Sequence, residues 1–309
     1  MSLSEDVVAG RYRALAQAIS LVERDDPAAE RLLAEIYAET GRSRIIGVTG
    51  SPGAGKSTLV ASLTRHYRRQ GKRVGIIAVD PTSPFTGGAI LGDRIRMADL
   101  YTDRGVFIRS MATRGFLGGL ARATNDVVDL LDAAGFDIVL VETVGVGQDE
   151  VEVIRTVQTN MVVLVPGMGD DIQAIKAGIM EIGDIFVVNK ADRPGADKTV
   201  TEVTMMMSLV EEHGDYIPPI VKTVASRNEG IAELDTAIVN HFDYLAGSGE
   251  LDRRNRDRVR IRIETQLKEK FMQHARAATE NWEQLLDDVL HKRNNPHDAA
   301  EKVLQRVLS

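Results

Sequence analysis

Eight residues, GSPGAGKS from Gly50 to Ser57, carry the clearest chemistry in the chain. They match G-x-x-x-x-G-K-[ST], and an apolar run precedes them while an amphipathic stretch follows, the strand–loop–helix context that this spacing needs. Glycines let backbone N–H groups curl around phosphate oxygens, and the helix that follows turns its positive end toward them. Gly50, Ser51, Pro52, Gly53, Ala54, Gly55, Lys56, Ser57 and Thr58 are therefore expected to cradle a nucleoside polyphosphate. Lys56 would neutralise the β- and γ-phosphates, and the Ser57 hydroxyl would ligate Mg²⁺.

A second group is NKAD, Asn189 to Asp192, behind another apolar run. The Asp192 carboxylate can accept from N1–H and N2–H₂ of guanine, a donor pair adenine lacks, and bidentate charge-assisted contacts of this kind discriminate strongly. Lys190 can lay its stem along the purine. Four residues alone would equally suit a helix-capping Asp; their place about 130 residues after a phosphate loop favours a guanine reader. Ala225 and Ser226 in TVASRNEGI offer backbone N–H groups to guanine O6.

Carboxylates supply the remaining candidates. The run FDIVLVE ends on Glu142, which can reach Mg²⁺ directly or through water. Gly145 can offer its N–H to the γ-phosphate, so that the loop's order depends on the third phosphate. Gln148 either orients the attacking water or is a plain polar loop residue. Lys56, Glu142 and Gln148 form the candidate catalytic set. Asp80 ends an apolar run on the phosphate side, and Asp93 follows a glycine-rich connection; both can join the metal shell, or Asp93 can cap a helix. Ser57, Asp80, Asp93 and Glu142 are thus the candidate metal ligands. Arg94, Arg96 and Arg114 are the nearby arginines, and none is placed by sequence as a built-in finger.

Something must hold these groups together. Seven short runs rich in Val and Ile, at 44–50, 73–80, 105–111, 136–142, 160–166, 184–190 and 219–225, lack alternation and read as strands buried on both faces. Longer amphipathic stretches separate them. The pattern predicts an α/β fold, a doubly wound, mostly parallel sheet of about seven strands of the P-loop NTPase kind. Residues 4–39 read as two helices, with Leu15, Ile19 and Val22 at helical spacing and Asp26-Pro27 as cap and first helical position. Beyond 247 the strands stop: one long helix carries Val259, Ile263, Leu267 and Phe271, a second carries Trp282, Leu285, Leu286 and Val289, and a third begins at Asn295-Pro296. The expected organisation is a helical extension over 1–42, a nucleotide domain over 43–247 and a helical segment over 248–309.

Composition sets limits. The 309 residues are 43% hydrophobic and 27% charged, with a net charge of −7. An acidic chain is not expected to bind nucleic acid through bulk electrostatics. Six arginines between 253 and 262 are interrupted by Asp257 and have no interleaved aromatic, so they read as a solvated helix face. No apolar run approaches the roughly 20 residues that span a bilayer, and the first residues, MSLSEDVVAGRYR, do not read as a signal peptide. Cysteine is absent, which excludes disulfides and thiol chemistry and fits an expected cytoplasmic location.

In order along the chain, GSPGAGKST, VDPTSPFTGGAILGDRIRM, ETVGVGQ, PGMGDDIQAIKAGI and NKAD resemble the MeaB/ArgK/MMAA family of P-loop GTPases. The likeness covers roughly residues 10–245, and the VDPTSPFTGGAILGDRIRM block is its most specific part, since general GTPases lack it. The resemblance implies GTP/GDP and Mg²⁺ as ligands. It implies a GTP-dependent chaperone of an adenosylcobalamin-dependent acyl-CoA mutase, chiefly methylmalonyl-CoA mutase, that gates cofactor delivery and protects or reactivates the mutase. It implies a homodimer formed through the C-terminal helices, and switch regions at Asp80–Arg96, Glu142–Glu150 and Gly167–Lys176. An older label in the family, arginine/ornithine transport kinase, finds no kinase acceptor site here. The alternative is a nickel-delivery GTPase of the HypB/UreG kind, for which a chain with no cysteine and six scattered histidines has poor ligands.

Overall fold

A computed structural model of the protein describes residues 2–80, 97–112, 119–143, 157–167, 182–208, 216–279 and 281–308. The protein divides into two compact units, 1–254 and 255–309. In the first, strands β1 (Arg44–Gly50), β2 (Val74–Asp80), β3 (Val106–Ala112), β4 (Ile138–Thr143), β5 (Thr159–Leu164), β6 (Ile185–Asn189) and β7 (Ile220–Thr223) form one sheet in the order β3-β2-β4-β1-β5-β6-β7. Every pairing among these strands is parallel, where the sequence suggested only a mostly parallel sheet. Parallel strands need long crossovers, and those put helices on both faces. That is why the strands read as unbroken apolar runs.

Neighbouring residues of β1 show the division. Ile45 points into a core built by α1 (Leu3–Val8), α2 (Tyr12–Glu23), α3 (Pro27–Ile36) and α5 (Gly119–Ala133). Ile46 and Val48 point the other way, into a core shared with α4 (Lys56–Arg69) and α7 (Ile231–Ser248). A smaller cluster seats Val203 and Met207 of α6 (Ala196–Met207) on Val162, Leu164 and Phe186. The backbone leaves β1 toward β2 and β3 on one side, returns to β4, and then crosses β1 to β5. The carboxyl ends of β1, β4 and β5 therefore border the crevice where such sheets bind ligands.

The N-terminal segment forms three helices rather than two. The added one, α1, is six residues long and is closed by a capping box between Ser2 and Glu5. Asp26 caps α3 by accepting from the Ala28 N–H at 2.9 Å, with Pro27 in the first turn. Leu15, Ile19, Val22 and Ile36 are buried against α5 residues such as Val127 and Leu131.

After α7 comes α8 (Glu250–Ala278), then α9 (Trp282–Leu290) and α10 (Pro296–Leu308). The arginine run at the start of α8 departs from the expected solvated face most clearly at Arg254. Arg254 donates to both carboxylate oxygens of Asp184, at 2.9 and 3.1 Å, and to the Gln158 carbonyl at 2.9 Å. Within the second unit, Phe271, Ala275, Trp282, Leu286, Val289 and Val303 line an apolar cleft of about 630 Å³.

Candidate nucleotide-binding site

The loop between β1 and α4 closes only because two of its glycines are glycines. Gly50 has φ 138°, and a Cβ there would lie 2.1 Å from the Val163 carbonyl oxygen on β5. Gly55, the residue just before α4, has φ 88°, and a Cβ there would meet Asn189 Nδ2 at 2.6 Å. No side chain caps α4, and the first intrahelical acceptor, Gly55 O, is taken by Leu59 N–H at 2.9 Å. The first-turn N–H groups of a helix have no acceptor of their own, so this end suits an anion. Lys56 is buried and its ammonium donates to Gly50 O at 2.6 Å and Ser51 O at 3.1 Å. Pro52 and Gly53 are exposed at the rim, and Thr58 follows Ser57 in the first turn.

Ser57 and Glu142 meet at the floor. The register places Glu142 opposite Val48 on one side and Ala78 on the other. Both residues are buried, and Ser57 Oγ donates to Glu142 Oε1 at 2.7 Å. Beside them, Thr143 Oγ1 donates to Thr49 Oγ1 at 3.1 Å and links the ends of β4 and β1. A hydroxyl and a carboxylate are hard oxygen donors, the kind Mg²⁺ takes, and Mg²⁺ completes its octahedron with waters and phosphate oxygens rather than a full protein cage. The pair fits that ion. Asp80 ends β2 two residues beyond the Ala78 that pairs with Glu142. Asp93, Gly145 and Gln148 lie outside the described residues, as do Arg94, Arg96, Arg114 and Lys176.

The NKAD segment reaches the phosphate loop directly. Asn189 is buried at the end of β6; its Nδ2 donates to the Ala54 carbonyl at 2.9 Å. Its Oδ1 accepts from Thr223 Oγ1 at 3.1 Å and from the Ala225 N–H at 3.2 Å. One amide thus fastens β6, the loop after β7 and the phosphate loop together. Lys190, at a positive φ of 56°, donates to the Gly53 carbonyl at 2.7 Å, a tether that its sequence position did not suggest. Asp192 is exposed and lies 3.7 Å from Arg227, whose closer partner is Glu229 at 2.9 Å. The buried Ala225 and the exposed Ser226 form a 3₁₀ turn with Arg227. Sequence reading missed Ser62 on α4, whose hydroxyl donates to the Ala225 carbonyl at 2.7 Å.

Asn189 and Lys190 thus tie the end of β6 to the 50–58 turn, which meets the Ser57–Glu142 pair, and the exposed Asp192 carboxylate follows two residues after Lys190. A family model described as "Methylmalonyl Co-A mutase-associated GTPase MeaB" matches residues 15–280. A putative GTPase of Pyrococcus horikoshii is 49% identical over 309 residues, covering 99% of this chain and 98% of that protein. The GTPase ArgK of Escherichia coli is 38% identical and covers 86% of this chain and 82% of its own length. A Caenorhabditis briggsae protein named as a mitochondrial methylmalonic aciduria type A homolog is 34% identical over 87% of this chain and 70% of its own length. Among solved structures, one described as an LAO/AO transport system kinase superposes with a TM-score of 0.74 at 28% identity, covering 99% of this chain and 97% of that one. The chain belongs to the MeaB family of P-loop GTPases.

Proposed function

We propose that this GTPase is an accessory protein of an adenosylcobalamin-dependent acyl-CoA mutase of the methylmalonyl-CoA mutase type. In this reading it gates cofactor delivery and protects or reactivates the mutase, and it works as a homodimer joined through its C-terminal helices. The observation that carries the reading is the family match over residues 15–280, which takes in the whole phosphate loop and NKAD segment. The C. briggsae relative's name points to the same metabolic setting.

The protein's own groups supply the GTPase step. N–H groups of the 53–58 turn and the Lys56 ammonium hold the phosphates, and their charge offsets the negative charge that builds up as the γ-phosphoryl leaves. Ser57 and Glu142, with Asp80 and Asp93 as further candidates, would hold Mg²⁺, which would supply positive charge against the phosphates. Asp192 reads the guanine N1–H and N2–H₂, with Lys190 against the ring and the Ser226 N–H at O6, since the Ala225 N–H expected there is held by Asn189 Oδ1. Gly145 senses the γ-phosphate and Gln148 orients water. The nickel-delivery alternative gains nothing from the site: the sequence has no cysteine, and among the described residues no three His, Asp or Glu side chains are grouped to hold a metal.

The test is GTP turnover by the full-length protein with and without a purified adenosylcobalamin mutase, read alongside complex formation by gel filtration. A complex and a changed turnover rate are expected. An unchanged rate with no complex overturns the partner, while leaving the GTPase itself intact.

A further inference from the structure

The base end of the site contains a buried hydrogen bond that the phosphate and metal chemistry does not use. Ser62 lies on α4, six residues beyond Lys56, and is 1% exposed. Its hydroxyl donates to the Ala225 carbonyl at 2.7 Å. That carbonyl also accepts from the Asn228 N–H at 3.2 Å, while the Ala225 N–H is taken by Asn189 Oδ1 at 3.2 Å. Ala225 is therefore clamped on both sides, by an amide from β6 and a hydroxyl from the helix that carries the phosphate loop.

The peptide plane makes this consequential. In a trans peptide the carbonyl of one residue and the N–H of the next share a rigid plane and point in opposite directions. Among the described residues every peptide bond is trans. Fixing the Ala225 carbonyl toward α4 therefore fixes the Ser226 N–H away from it. Ser226 is exposed. Its N–H makes no hydrogen bond to another described residue, so that donor stands ready for an outside acceptor.

We infer that Ser62 is a positioning residue for base recognition: through the Ala225 carbonyl it aims the Ser226 N–H at the O6 oxygen of the bound purine. This rests on the reading of Asp192, Ala225 and Ser226 as the base pocket, and the test separates the two. Three diphosphates of the same ribose, with guanine, hypoxanthine or 2-aminopurine as the base, divide the base contacts. Guanine has O6, N1–H and the 2-amino group; hypoxanthine keeps O6 and N1–H but lacks the amino group; 2-aminopurine keeps the amino group and lacks both O6 and the N1 proton.

Binding of each to the full-length Ser62→Ala, Asp192→Ala and unaltered proteins is measured by calorimetry. Ser62→Ala is expected to weaken the guanine and hypoxanthine diphosphates by the same factor, about three- to tenfold, the worth of one neutral hydrogen bond, and to leave the 2-aminopurine diphosphate unchanged. An equal loss for all three nucleotides, or no loss for any, overturns the inference, because a merely structural hydroxyl would not distinguish O6. If Ser62→Ala is too unstable to purify, Ser62→Cys keeps the size and weakens the donor, and the same split, smaller, is expected. Asp192→Ala should erase the preference of guanine over hypoxanthine. If it does not, the base-pocket reading fails, whatever Ser62 does.

Discussion

Asn189 shows how much of this site depends on single polar atoms. Its amide uses Nδ2 on Ala54 and Oδ1 on Thr223 and Ala225, all inside the protein. Asn189→Asp keeps the shape but replaces the donor by a charged acceptor facing a carbonyl 2.9 Å away. An unsatisfied buried group costs about 1–3 kcal/mol and a charged one more, so the variant should lose about 2–3 kcal/mol in urea denaturation. It should also bind GDP at least about tenfold more weakly, since the phosphate loop loses its brace. An unchanged urea midpoint would show that the amide is not the fastener. Glu142→Gln probes the floor: the amide oxygen can still accept from Ser57, but the charge is gone. Mg²⁺-supported turnover should drop by about tenfold or more while Mg²⁺-free GDP binding stays within about twofold; equal losses in both would remove Glu142 from the metal's surroundings. The phosphate loop was legible in the sequence because its conformation is local, fixed by glycines within eight residues. The braces were not. Asn189 to Ala54 spans 135 positions, Lys190 to Gly53 spans 137, and Ser62 to Ala225 spans 163. A serine on a helix carries no signal of a partner that far along the sequence.

At the scale of elements, the apolar runs announced the sheet because burial on both faces forbids polar residues at either parity. The polar clasp at the opposite end of the sheet left no such trace. Asp184, just before β6, accepts from the Asn160 N–H at 2.8 Å and from Arg254 on α8, and lies 3.3 Å from His241 Nε2 on α7. The other ring nitrogen of His241 is 2.8 Å from Thr159 Oγ1, and Tyr216 packs over the ring with centroids 4.8 Å apart. Arg254 also reaches Glu250, at 3.3 Å. Reading the arginine run as a uniform solvated face failed here because charge spacing says nothing about a carboxylate 70 residues upstream. Burial pushes the Asp184 carboxyl up, but the adjoining His241 ring and the hydrogen-bonded Arg254 guanidinium outweigh it and hold the group below the usual carboxylate range. The sign follows: a carboxylate with a depressed folded pKa stabilises the fold above its unfolded value, about 3.9, and that contribution is lost as pH falls through the folded pKa. Urea midpoints should therefore fall below about pH 4, and Asp184→Asn should flatten that acid limb; a limb of unchanged steepness would exclude Asp184 as its source. At neutral pH, Arg254→Ala leaves the carboxylate short of a partner. Breaking a fully buried pair costs about 3–5 kcal/mol. Arg254 is 29% exposed, so a loss of about 2 kcal/mol is expected after solvent screening.

For the whole molecule, the exposed apolar face of α8 carries the proposal of a dimer. Val259, Ile263, Leu267 and Phe271 recur every four residues along α8 and are 43%, 54%, 63% and 40% exposed. A stripe of this kind on a helix marks a surface that meets something else. A second copy is the proposed occupant, and a two-fold dimer makes the prediction sharp, because each substitution then counts twice. Ile263→Glu with Leu267→Glu removes four apolar side chains per dimer, at roughly 1.5–2 kcal/mol each, or about 6–8 kcal/mol in all. That is about four to six powers of ten in Kd, enough to turn a nanomolar dimer into a monomer at working concentrations. Sedimentation equilibrium should show a dimer for the unaltered protein and a monomer for the double variant. GDP binding should remain within about twofold, since none of the proposed nucleotide contacts lies beyond Ser226. Trp282, the only tryptophan in the sequence, lines the apolar cleft of the same helical unit. Its emission should shift to the red as the dimer is diluted and that cleft meets water. An unaltered protein that sediments as a monomer at micromolar concentration, or a double variant that stays dimeric, would remove α8 from the dimer contact.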